Sequence, residues 1–357
     1  MIKSISPYYV YTPWVNPLGG AVLGESYTIS IFVWNGLKAS PPGTATYSKT
    51  QENPASLIDS DKVNIARLIS DFIEFAPQKT TATSVIDGNN TWWVKTSVTY
   101  ANDATVQQEA IDLFSLGYSF GNEGENITTI TDNILLVTQD YKVDRSGVFV
   151  QPVLLDEAVT TSVTVKSFPD NEIDFALTLP ATTDSAKLVS YVWVQLNETN
   201  TDTFIEVVFI NQTVNKPTTT LLIQDECKYT PIDIFFQNKE GHEQVITFFK
   251  ERKDSLTISS ESFESDRGQP SAGNHQFVRF NVQGKRKFTL NSGFVDEDMN
   301  EIFEELLFTE RVWSFVDNVF TPLDIKTTSL EFKTRQKQKL INYSINFEPS
   351  YNQINNI

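Results

Sequence analysis

The chain has 357 residues and a net charge of −17, from 28 Lys and Arg against 45 Asp and Glu. With 40% apolar and 20% charged residues it has the balance of a folded chain of two or three domains, not of a disordered one. Such acidity argues against broad binding to phosphate backbones or anionic membranes, and one Cys with two His excludes an internal disulfide and a four-ligand Cys/His zinc site.

The first region, 1–140, opens with Met1 to Gly20, where aromatic residues alternate with Pro. This stretch lacks the apolar run of roughly 7–15 residues that a signal peptide needs. No segment reaches the ~18 apolar residues of a membrane span. The expectation is a chain folded in a reducing cytoplasm, with the triplets at Asn89, Asn126, Asn197, Asn211 and Asn342 read as chance rather than as glycosylation sites. Tyr27 to Trp34 alternates as a strand and closes on Asn35-Gly36. A helix is predicted from an N-cap at Ser60, with Ile65, Ile69, Phe72 and Ala76 on one face and a stop at Pro77. Ser84 to Ile86 and Thr91 to Tyr100 are predicted to form a hairpin, and Val106 to Leu116 a short helix. The turn-rich run Gly121 to Asn126 then breaks the pattern.

The second region, 141–268, reads as strands only. Candidates are Val148–Val153, Ser162–Val165, Phe175–Leu179, Tyr191–Leu196, Phe204–Ile210, Thr219–Ile223, Ile232–Gln237 and Val245–Phe249. Short strands at this spacing imply a two-sheet antiparallel sandwich of the immunoglobulin or fibronectin kind. Gly268 to Asn274, with Pro270 and Gly273, reads as a linker.

The third region, 269–357, is predicted to be α+β. Arg279–Val282 and Lys287–Leu290 flank Gln283-Gly284-Lys285-Arg286 as a hairpin. A helix starts near Asp296, with an acidic first turn and an apolar stripe of Met299, Ile302, Phe303, Leu306 and Leu307. Strands follow at Val312–Val316, Ser329–Thr334 and Leu340–Phe347, with Ile341, Tyr343, Ile345 and Phe347 on one face. The fold class expected is therefore mainly β: sandwich modules followed by a small sheet covered by one helix.

Catalytic chemistry finds little support. There is no Gly-x-Ser-x-Gly elbow, no P-loop and no dinucleotide fingerprint. Cys227 lies between acids and Lys228 and reads as a half-buried residue at a strand start; His242 reads as an exposed turn residue, and His275 follows the linker. Asp296, Asp298 and Asn300 open like a calcium loop, but Glu301 and Leu307 stand where Gly and the bidentate Glu should be. A carboxylate pair for glycoside hydrolysis carries no sequence signal among 45 acids. The Trp residues sit in strand patterns and suit core packing better than a sugar platform. No catalytic residue, cofactor or metal ligand is assigned.

Charge is unevenly spread. Residues 1–140 carry 7 basic against 14 acidic groups, 141–265 carry 10 against 19, and 266–357 carry 11 against 12. The nearly neutral last region holds two basic tips, Lys285-Arg286-Lys287 and the run with Lys333, Arg335, Lys337 and Lys339. These are either solvated turns that guard sheet edges, or a docking surface for an acidic neighbour such as another copy of the chain.

Three stretches carry a resemblance. They are Cys227-Lys228-Tyr229-Thr230-Pro231 with Asn238-Lys239-Glu240-Gly241 and Phe248-Phe249-Lys250; Phe280 to Lys285 with Thr289 to Phe294; and Lys339 to Glu348 with the ending Ile354-Asn355-Asn356-Ile357. They resemble structural proteins from virions of tailed bacteriophages, especially crAss-like and other phages of Bacteroidetes hosts. The resemblance covers about the last 140 residues. It implies a non-enzymatic tail, ring or connector component, present in several copies in the virion and assembled in the host cytoplasm. The partners it implies are the chain itself, as a cyclic homo-oligomer, and neighbouring tail or portal proteins. Membrane and sequence-specific nucleic acid are not expected as partners; contact with DNA in passage is left open. A tail-tip receptor- or glycan-binding module is the alternative.

Overall fold

The computed structural model describes residues 2–3, 8–13, 26–35, 37–52, 60–87, 91–101, 103–118, 134–155, 161–169, 172–179, 189–196, 203–211, 214–265, 273, 275–332, 341–351 and 354–355. The first third contributes β1 (Ile2–Lys3), β2 (Tyr9–Pro13), β3 (Ser26–Trp34), β4 (Tyr47–Glu52), β5 (Ser60–Asn64), α1 (Ala66–Ser70), β6 (Ser84–Asp87), β7 (Thr91–Tyr100) and β8 (Asp103–Ser115). One sheet runs β1-β8-β7-β3-β4, with β1 parallel to β8. As the alternation of β3 requires, Tyr27, Ile29, Ile31 and Val33 are buried and the residues between them less so.

Three predictions for this third are corrected. Ser60 caps no helix; it lies in β5, which pairs with β2. The helix is one short turn later, where the Asn64 Oδ1 accepts from the Ala66 amide at 3.0 Å. Val106 to Leu116 is not helical but belongs to β8, because β7 supplies a ladder along its length, from Trp92 opposite Phe114 to Val98 opposite Gln108. Ser84 to Ile86 is a strand, yet it does not form a hairpin with β7. It crosses to another sheet and pairs with the strand Val189–Gln195, placing Val85 opposite Val192.

The middle of the chain forms β9 (Asp140–Asp144), β10 (Val148–Leu154), β11 (Thr161–Phe168), β12 (Glu172–Leu179), β13 (Val189–Gln195), β14 (Phe204–Asn211), β15 (Val214–Gln224), β16 (Ile232–Gln237) and β17 (Glu243–Phe248). Each strand predicted between Val148 and Phe249 is present. They divide among three sheets: β12-β11-β14-β15-β9, then β10-β13-β6, and for β16 and β17 a sheet shared with the C-terminal residues. Every residue of β10, β16 and β17 is buried, so both faces of these strands are covered. That explains their near-continuous apolar runs, whereas β11, in another sheet, alternates between buried and half-buried residues.

The remainder forms β18 (Lys253–Glu264), β19 (Phe277–Asn291), a 3-10 turn at Glu297–Met299, α2 (Asn300–Phe308), β20 (Val312–Val316), β21 (Val319–Ile325), β22 (Ser344–Pro349) and β23 (Ile354–Asn355). Together with β16 and β17 they make one sheet, β17-β16-β20-β21-β22-β19-β18, with β23 on β19. The expected boundary at 268/269 falls inside this sheet, between β18 and β19. As predicted, most of the apolar stripe of the C-terminal helix is buried: Met299, Ile302, Phe303 and Leu306 lie in the same core as Tyr343, Ile345 and Phe347, while Leu307 is half-buried. Ser329 to Phe332 form no strand; β21, which carries Pro322 opposite Trp313, takes that place in the sheet. One hydrophobic core joins the middle sheets to the C-terminal sheet, and a second lies under β3, β7 and α1.

Candidate functional site

The strands β18 and β19 extend as an arm. Lys253 pairs with Thr289 at its root and Glu264 with Phe277 at its far end. The predicted hairpin turn at Gln283–Arg286 is not there: β19 runs unbroken through these residues. A bulge near Asn281, whose φ is +50°, absorbs one extra residue of β19. Gly284 pairs with Ile258 on one side and Ile354 on the other.

All twelve residues of β18 are exposed, and β18 is an edge of the sheet. Paired residues share a face. Leu256 and Ile258, both more than half exposed, stand with Arg286 and Gly284 on one face. Ser255, Thr257 and Ser259 stand opposite Lys287, Lys285 and Gln283 on the other. Towards the far end, the exposed rings of Phe263 and Phe280 meet edge to face with centroids 5.6 Å apart, and Phe277 is 64% exposed.

The predicted basic residues thus lie mid-strand, not at a tip. Lys285 and Lys287 point to one face and Arg286 to the other, by the period of two. Lys333, Arg335, Lys337 and Lys339 lie outside the described residues. Lys285 and Lys287 converge on Glu348 of β22, at 3.5 and 3.9 Å, and Lys326 joins them at 2.8 Å. The Glu348 side chain is 5% exposed. Burial alone would raise its carboxyl pKa, but the bonds and charges of Lys326 and Lys285 outweigh burial and hold it below the usual carboxylate range. Glu348 and Lys326 drew no attention in the sequence. Only the pairing of β19 with β22 brings Glu348 beside lysines some sixty positions earlier.

His242 and Cys227 are placed differently from expectation. His242 is not exposed: its side chain is fully buried, with Nδ1 3.1 Å from the Tyr191 hydroxyl. The reason is a clasp. The turn between β16 and β17 is tied to residues 115–118, with the Ser115 hydroxyl donating to the Glu240 carbonyl at 2.7 Å and the Tyr118 amide to the Lys239 carbonyl at 2.8 Å. Burial pushes the His242 pKa down to about 3. The neighbouring Glu243, equally buried, is pushed up to about 8, and its Oε1 accepts from the Gln78 amide at 2.9 Å. Cys227 is exposed, not half-buried, in the turn before β16, between the Glu226–Lys250 ion pair and Lys228. Asp296 pairs with Lys142 at 3.5 Å. Trp34, Trp93 and Trp193 are buried in the cores, which leaves them unavailable as a sugar platform. Among the described residues, no group of His, Cys, Asp and Glu is arranged to hold a metal ion, and no helix is long and apolar enough to cross a membrane. No family model and no curated protein matches the chain.

Proposed function

We propose that this chain is a non-enzymatic structural component of a tailed-bacteriophage virion, assembling into a multi-copy ring or collar in the tail or neck. Its partners are other copies of itself and neighbouring tail or portal proteins. The observation that carries the reading is the arm: an edge strand exposed along twelve residues, with Leu256 and Ile258 on one face and Phe263 and Phe280 on the other. A free edge offers a row of backbone donors and acceptors to another chain, and proteins that stay monomeric keep such edges short, charged or covered. Contacts made by one part of a subunit on a different part of the next close into rings when the rotation permits. The charge of −17 holds free copies apart until specific contacts form. Sandwich modules of the immunoglobulin kind belong to the same reading, supported by valines of β10, β11, β13 and β14 that meet in one core.

Light scattering of the purified chain over rising concentration, with electron micrographs of the product, tests this. Replacing Leu256 and Ile258 together by Lys is expected to weaken assembly about 100-fold, from roughly 3 kcal/mol of lost apolar burial, while the monomer's melting temperature stays unchanged. A wild-type chain that stays monomeric throughout, or a double variant that assembles as well as the wild type, would sink the proposal.

A further inference from the structure

The concavity at the root of the arm has a volume of about 560 Å3 and is lined by Thr257, Ser259, Gln283, Lys285, Lys287, Lys326 and Glu348, with Gly284 in its wall. Its charge is out of keeping with the rest of the molecule. Three ammonium groups face one carboxylate, in a chain whose acids outnumber its bases by 17. Asp324, 3.6 Å from Lys326 and outside the lining, offsets part of this excess. The lysine side chains are each 41–44% exposed, so their ammonium groups reach open solvent, whereas Glu348 lies beneath them. Glu348 acts as a post: it draws three lysines to one point and cannot neutralise them all.

The remaining lining is rich in donors. Strand register sets the hydroxyls of Thr257 and Ser259 directly across from Lys285 and Gln283 on the pocket face. Ammonium groups only donate, and hydroxyls and amides can. A concave site with an excess of donors and positive charge is complementary to an oxyanion, and a lysine binds phosphate as a point charge.

We infer that this pocket binds a phosphate group, held by Lys285, Lys287 and Lys326 with the hydroxyls of Thr257 and Ser259. The inference stands apart from the assembly reading. The phosphate comes either from a free phosphate compound or from a nucleic-acid backbone, and the experiment separates these sources.

Calorimetric titration of the full chain with inorganic phosphate, at ionic strength matched with sodium chloride, reads the first source. Anisotropy of a labelled short DNA duplex reads the second. The variant Lys285→Gln with Lys287→Gln removes two ammonium groups and keeps Lys326, the nearest partner of Glu348, so that the buried carboxylate stays paired. Saturable binding by the wild type, weakened about tenfold or more in the double variant, is expected in at least one arm. Thr257→Val leaves every charge in place and is expected to weaken the same binding severalfold, which keeps the test open if the double variant fails to fold. Binding in the phosphate arm assigns a free phosphate compound, and binding in the duplex arm alone assigns a backbone phosphate. No saturable binding in either arm overturns the inference, as does equal binding by wild type and variants.

Discussion

Gly241 shows how one residue secures the meeting of distant segments. Its φ is +83°, a conformation that costs a side chain energy, and a Cβ there would lie 2.4 Å from the Gly117 amide nitrogen. Gly241→Ala is therefore expected to destabilise the fold by about 3 kcal/mol or more, measured by urea unfolding. Next to it, His242 and Glu243 make stability depend on pH in opposite directions. Glu243 binds its proton more tightly folded than unfolded, so its contribution is full below about pH 4.5 and falls as pH rises towards 8. Asp233, buried and pushed up to about 6, acts in the same sense over a lower range. His242 is held neutral, so its contribution is full above about pH 6.5 and falls as pH drops towards 3. Glu243→Gln, which keeps an acceptor for the Gln78 amide, is expected to flatten the decline in unfolding free energy between about pH 5 and pH 8. The effect is on the order of a few kcal/mol; an unchanged slope would show that Glu243 does not titrate there. None of this was legible in the sequence. Beside Gly241, in a polar turn, His242 has every local mark of exposure, and only contacts distant in sequence bury it, with Tyr191 on its ring and residues 115–118 on its turn.

Among the elements, legibility followed burial. Strands covered on both faces announced themselves as apolar runs, and the helix stripe of Ile302, Phe303 and Leu306 was plain. Phe303→Ala is expected to cost about 3–5 kcal/mol, because its ring packs on Tyr343 and Phe248 at 4.7 and 6.2 Å between centroids and leaves a cavity when removed. Differential scanning calorimetry would show it as a fall in melting temperature. Exposed elements were read less well. Gly284 among polar neighbours looks like a turn, yet it lies mid-strand, paired with Ile258 on one side and Ile354 on the other. The residues around Glu109 carry no strong strand signal; their conformation is imposed by the ladder with β7, including the ion pair from Lys95 to Glu109 at 3.0 Å.

For the whole molecule, the β class and the acidic body were readable from composition, whereas the assignment of strands to sheets was not. Alternation says that a strand exists, but not that β6 will leave its neighbour for β13, or that β16 will pair with β20. The same gap hid the lysine pocket, whose members come from separate strands. Charge makes a prediction at this scale. If apolar contacts of the arm drive assembly, raising salt from about 20 to about 200 mM should tighten it, by screening repulsion between copies of charge −17. Sedimentation at the two salt concentrations would show the change, and loosening instead would mean that opposite charges hold the copies together. The clasp at Gly241 also bears on the order in which the chain folds. Residues 115–118 find their partners only when residues 237–242 have been made, so the N-terminal sheet must wait, its last strand unsealed, for more than a hundred further residues to leave the ribosome. A chain cut short before Gln237 would keep the residues of β3, β7 and β8 but lose that seal, and the cell's chaperones would meet this nascent chain in that unfinished state.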